Sequence, residues 1–214
     1  LNLAKQCIKQ DINRFIFLSS IGVNGLNTID KAFNESSTPA PHSDYAVSKY
    51  EAELALKELC EGTCMELVII RPPLIYGASA PGNFEKLLAI VSKGLPIPLG
   101  SVNNNRSFVY LHNLVNFIET CLEQPDAANE LFVISDSDNI STPELLLHLY
   151  KGMDKPAGLI PFPIWMLKLS LTLIGQKNLF QQLCGSLEID STKAKKILNW
   201  SPPHHYQNAL QSSA

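Results

Sequence analysis

The stretch that decides the fold is Arg14-Phe15-Ile16-Phe17-Leu18-Ser19-Ser20, followed by Asp44-Tyr45-Ala46-Val47-Ser48-Lys49 and then by Leu67-Val68-Ile69-Ile70-Arg71-Pro72-Pro73-Leu74-Ile75-Tyr76-Gly77. Two short, wholly apolar runs flank an amphipathic segment, so strand alternates with helix. Apolar runs with no polar alternation suit parallel strands buried on both faces. The pattern predicts a helix over about 3–10, a strand over 14–18, a helix over about 45–59 and a strand over 66–71. The fold class that follows is α/β, built on a parallel sheet. In such sheets ligands bind beyond the carboxyl ends of the strands. Ser19, Ser20, Arg71, Pro72 and Pro73 all fall there.

Chemistry is concentrated in Tyr45 and Lys49. Positions i and i+4 share a helix face, so the Lys49 ammonium can sit beside the Tyr45 phenol and favour its ionised form. A phenol with a pKa of about 10 needs that help to act as a base near neutrality. The hydroxyl of Ser20 could bridge Tyr45 to a substrate alcohol and pass a proton along. These residue types in this order point to alcohol/ketone redox chemistry.

Composition narrows the class further. With 45% hydrophobic and 17% charged residues the chain is that of a folded globular protein. A net charge of −3 with scattered Lys and Arg gives no footprint for nucleic acid. Cys7, Cys60, Cys64, Cys121 and Cys184 make an odd set without C-x-x-C pairs, which fits free thiols in a reducing cytoplasm and offers no metal site. The apolar run Leu159–Gly175 is broken by Pro161, Pro163 and Lys168, so it is not expected to cross a membrane. A helix over about 164–174 packing its apolar stripe into the protein is the preferred reading, with an interfacial membrane helix as the alternative.

Farther along, the residues after Gly77 are expected to enter the smaller domain. The pattern predicts helices over about 84–92 and 114–123 and strands over about 107–111 and 131–135. The expected division is 1–77 and 78–214, with 107–135 returning to the main sheet. The polar loop 27–43 is expected to form a mobile rim, and Ser141-Thr142-Pro143-Glu144 and Asp190 to mark helix starts.

Taken together, the Ser-Ser strand end, the Tyr-x-x-x-Lys helix and the Arg-Pro-Pro strand end resemble those of the extended short-chain dehydrogenase/reductases. The resemblance is to the nucleotide-sugar 4-epimerases and 4-reductases, and it runs from Asn2 to about Leu210. It implies Tyr45 as the acid/base, Lys49 as the group holding the nicotinamide ribose, and Ser20 as the hydroxyl touching substrate. It implies Ser19 in a supporting place on the cofactor side, with Pro72 and Leu74 beside the nicotinamide of NAD or NADP; 1–77 would then be the C-terminal remainder of a Rossmann-like dinucleotide-binding domain and 78–214 a smaller α/β, mainly substrate-binding domain. It further implies Arg106 on the substrate diphosphate, Asn83 on the diphosphate or base, and Pro98, within 96–99, along the uracil through backbone groups. The implied substrate is a UDP-hexose or UDP-N-acetylhexosamine, and the implied assembly a homodimer. Epimerisation and reduction of a 4-keto-6-deoxy sugar remain open alternatives. A non-catalytic remnant is a third, because the family's Gly-rich phosphate-binding turn does not occur here. On that comparison, roughly 100 residues are expected upstream of Leu1.

Overall fold

A computed structural model describes residues 1–78, 80, 83–136 and 138–212, with Asn83, Lys177, Gln211 and Ser212 described by their backbone alone. Three parallel strands form the main sheet in the order β1 (Arg14–Leu18), β2 (Glu66–Arg71), β5 (Leu131–Val133). Phe15 pairs with Leu67 and Leu18 with Ile70, while Ile69 pairs with Leu131 and Arg71 with Val133. Helix α1 (Asn2–Lys9) precedes β1, and α2 (Asp44–Cys60) makes the crossover to β2. Both are packed by Ala4, Leu56 and Cys60 against Leu67 and Ile69 on one face of the sheet. Gly62, at φ 74°, takes the left-handed turn that ends α2 without the cost a side chain would bring. The opposite face buries Val68, Ile70 and Phe132 under Leu114, Phe117 and Trp200.

Chain order in the rest of the molecule follows local stereochemistry. Pro72 and Pro73 lack the N–H a strand interior needs, and the chain breaks there. It resumes as β3 (Leu74–Tyr76), which pairs in parallel with β4 (Phe108–Tyr110) as a separate two-stranded sheet. The expected return of 107–135 to the main sheet is therefore made by β5 and not by β4. Between these strands lies α3 (Asn83–Ser92), and α4 (Leu111–Glu123) follows β4 directly, one turn earlier than the apolar spacing suggested. Its cap residue, Tyr110, makes no side-chain capping bond, so nothing in the residues marked that start. The start of α5 (Thr142–Gly152) is capped by Ser141, whose hydroxyl accepts from Glu144 N at 3.2 Å. Thr142 lies one residue inside and instead donates to Leu183 O.

Two expectations change. Helix α6 (Ile164–Leu173) does not bury its apolar stripe: Leu167 is buried, Leu171 is partly so, and Trp165, Met166, Leu169 and Leu173 face outward. The loop 27–43 is not a free rim. Thr28 N and Phe33 N donate to Ser186 O and Glu188 O, and Asp190 N donates back to Phe33 O. The chain closes with α7 (Lys177–Cys184), α8 (Thr192–Leu198) and α9 (Tyr206–Ser212). Asp190 accepts from Thr192 N at 3.0 Å and so serves the start of α8 from just outside it. All five cysteines are free thiols. Among the described residues no helix is long and apolar enough to cross a membrane.

Candidate active site

The carboxyl ends of β1 and β2 carry a polar cluster built almost without solvent. Arg71, the last residue of β2, donates from Nε to Glu53 Oε1 at 2.9 Å and from Nη2 to Glu53 Oε2 at 2.5 Å. Its Nη1 donates to Asn24 Oδ1 at 2.9 Å, and Ser19 Oγ donates to Glu53 Oε1. Both ionised side chains are almost wholly buried, at 3% and 1% exposure. A planar guanidinium matched to a carboxylate in this way fixes distance and orientation together. Glu53 lies on α2 one turn beyond Lys49 and two beyond Tyr45, so the cluster ties the Tyr45 helix to both strand ends.

Above this cluster, Lys49 Nζ donates to Leu18 O at 2.9 Å and sits 5.0 Å from the centre of the Phe17 ring and 5.8 Å from that of Tyr45. One of its three N–H groups is thus occupied by the strand end, and the others are available to a ligand. Tyr45 is 60% exposed. Ser20 caps the short 3₁₀ turn at Ile21–Val23, its Oγ accepting from Gly22 N at 3.1 Å. That turn lies against α2: a Cβ placed on Gly22 would stand 3.3 Å from Ser20 Oγ, 3.5 Å from Ala46 Cβ and 3.7 Å from His42 Cε1. A Cβ at 22 would be in ordinary contact with α2 and would crowd only the Ser20 hydroxyl, so a side chain larger than methyl is what this turn has no room for. Burial lowers the affinity of His42 for a proton below the usual histidine range.

The cofactor-side residues fall as the strand ends dictate. Pro72 is buried and Leu74 is half-buried. Pro72 O accepts from Ile21 N at 2.9 Å, linking the β2 exit to the Ser20 turn. The Lys49 ammonium at the end of β1 and the Pro72 carbonyl at the end of β2 both lie at the carboxyl edge of the sheet, where ligands bind in such folds. Ser19 is buried and its hydroxyl is committed to Glu53.

On the substrate side, Arg106 precedes β4. Its backbone pairs with Ile140 and Leu187, and its Nη1 donates to Gly185 O at 2.8 Å. Among the described residues it has no carboxylate partner, and burial lowers its pKa to about 10. A desolvated cation without a counter-ion favours an anionic ligand. Pro98 is exposed, but its neighbour Ile97 spends its N–H on Gly158 O and its C=O on Ile160 N. Within 96–99 the backbone groups of Ile97 are thus used inside the protein. The side chain of Asn83 lies outside the described residues.

Asp136 was not foreseen from sequence. It accepts from Tyr76 Oη and Asn113 Nδ2, each at 2.7 Å, and from Tyr110 N, which joins β3, β4 and α4 at one buried carboxylate. Asn113 also donates to His204 O and accepts from His204 N, so the same amide clamps the C-terminal loop. A cavity of about 660 Å³ lined by Lys57, Cys60, Glu66, Leu67 and Leu131 lies at the opposite, amino ends of the strands. Position in the sheet argues against it as the reaction site.

Comparison with known proteins follows the same lines. Residues 1–135 match the NAD dependent epimerase/dehydratase family. The chain is 43% identical over 216 residues to a UDP-glucose 4-epimerase of Vibrio cholerae, covering 100% of this chain and 66% of that protein. It is 29% identical over 199 residues to an N-acetyl-α-D-glucosaminyl-diphospho-ditrans,octacis-undecaprenol 4-epimerase of Escherichia coli O157:H7, covering 86% of this chain and 60% of the relative. The chain thus spans slightly less than two thirds of the length of these relatives. Its fold superposes on the UDP-glucose 4-epimerase of Thermotoga maritima with a TM-score of 0.76 at 22% identity, over 99% of this chain and 65% of that one. A UDP-N-acetylglucosamine 4-epimerase of Bacillus cereus gives 0.75 at 19% identity, over 98% and 67%. With its parallel sheet, its Tyr45–Lys49 helix and a family match over most of its length, the chain belongs to the NAD dependent epimerase/dehydratase family.

Proposed function

We propose that the protein carries the catalytic and substrate-binding part of a UDP-hexose or UDP-N-acetylhexosamine 4-epimerase. The observation that carries this reading is Lys49, held by Leu18 O beside the Tyr45 ring at the carboxyl end of β1. Residues 1–77 complete a dinucleotide-binding domain and residues 78–214 hold mainly the substrate. Lys49, Pro72 and Leu74 hold the nicotinamide end of NAD, which when bound supplies reversible hydride acceptance. Tyr45 removes the proton of the sugar 4-hydroxyl and later returns one to the same oxygen, with Lys49 favouring the phenolate. Ser20 orients that hydroxyl, and Arg106 takes the diphosphate. Asn83 and Pro98 flank the nucleotide. Five free thiols fit a reducing cytoplasm, and a homodimer is the assembly this reading implies.

The test is a UDP-hexose deuterated at C4, given to the protein as its own cell produces it. Epimerisation returns the label to C4 of the product, whereas a reductase leaves this substrate unconverted. Loss of the label to solvent would count against hydride storage and return.

A further inference from the structure

Among the described residues no element covers the outward face of α6. Leu167 and Leu171, one turn apart, are set into the core. On the opposite side Trp165, Leu169 and Leu173 follow at i, i+4 and i+8, with Met166 beside them. Their exposures are 68%, 54%, 77% and 40%, and Ile174 continues the patch at 67%. Large apolar side chains rarely gather on a surface without a partner. Orientation of the helix is fixed by its buried face, so the patch is presented outward as a unit.

Charge selects the partner. Between Asp154 and Glu188 the sequence has no acidic residue, in a chain whose net charge is −3. Lys168 lies on α6 itself, at the flank of the apolar stripe. A tryptophan, aliphatic residues and a lysine with an apolar stem are the side chains that settle at a lipid–water boundary. A second copy of the chain would bring the same positive charge against itself, whereas an anionic lipid surface would be attracted by it. At 10 residues α6 is about 15 Å long, so it can lie on a bilayer but not span one.

We propose that α6 docks the protein on anionic membrane surfaces, with Trp165, Leu169 and Leu173 entering the headgroup boundary and Lys168 on lipid phosphates. The proposal is independent of which sugar the active site takes. It is tested by co-sedimenting the full protein with vesicles of equal phosphatidylglycerol and phosphatidylcholine, and with phosphatidylcholine alone. Binding to the first, with at least tenfold weaker binding to the second, is expected. Trp200 is buried at 6% exposure and Trp165 is not, so a blue shift of emission on vesicle addition reports insertion of Trp165. Leu169→Glu should lower vesicle binding at least tenfold, and the exposed Lys168→Glu, which leaves the apolar face intact, should remove the preference for anionic lipid. No binding to either vesicle, equal binding by both variants, or a patch that proves to hold two copies together in solution and stays dry with vesicles would each overturn it.

Discussion

Removing the positive partner from the buried Glu53–Arg71 pair should be among the most damaging single changes in the molecule. In Arg71→Met the Glu53 carboxylate keeps only the Ser19 hydroxyl, having lost both guanidinium bonds at 2.9 and 2.5 Å. Breaking a pair this buried costs roughly 3–5 kcal/mol because an uncompensated charge remains inside. For a chain of this size that corresponds to a fall in Tm of about 6–20 °C. Removing both charges together should cost less than the single change. In Glu53→Met with Arg71→Met no ion is left buried, and the unpaired Ser19 and Asn24 groups, at about 1 kcal/mol each, cost less together than the stranded charge. Urea unfolding of wild type, the two single variants and the double variant measures the coupling directly. Additive losses, or an Arg71→Met protein within about 1 kcal/mol of wild type, would refute the view that this pair clamps the Tyr45 helix to the sheet.

Three further outcomes follow from the site. Gly22→Val should lower turnover by about a hundredfold, the scale of a small misplacement at a reacting centre, because the branched side chain must displace either Ser20 or α2; unchanged kinetics would separate the Ser20 turn from the chemistry. Arg106→Gln should raise KM for a UDP-sugar roughly tenfold to a hundredfold with a smaller change in kcat, as expected for loss of a charged hydrogen-bond donor, and an unchanged KM would remove it from the diphosphate site. Burial raises the pKa of Asp136, outweighing its donors, so the folded state holds that proton more tightly than the unfolded state does. Its contribution to stability is therefore complete below the unfolded value of about 3.9 and is lost as pH rises through the raised folded value. Asp136→Asn should flatten that descent in Tm measured from pH 4 upward, and parallel profiles would contradict it.

Much of this architecture was legible in particular residues. The strands β1 and β2 were bounded correctly because each apolar run is closed by polar or proline residues. Spacing also put Tyr45 and Lys49 on one face, as observed. The same spacing extended to Glu53, but a lone acid on a helix carries no mark of a partner on a distant strand. Arg71 was readable as a strand end and not as an ion-pair partner for that reason. β3 was hidden inside one apolar run because the break comes from Pro72-Pro73, whose effect on pairing depends on which neighbour is present. In α6 nearly every position is apolar, so periodicity could not say which face is covered. Asp136 stands in a polar run whose burial is decided by Tyr76, Tyr110 and Asn113, all brought there from other elements.

The most direct test of the account is Tyr45→Phe in the protein as its cell produces it. If the phenol acts on the 4-hydroxyl and Arg106 holds the diphosphate, as proposed, conversion of UDP-glucose to its 4-epimer should disappear while affinity for the UDP-sugar is largely retained. Retained turnover would remove Tyr45 from the proton transfer and contradict the assignment of the site.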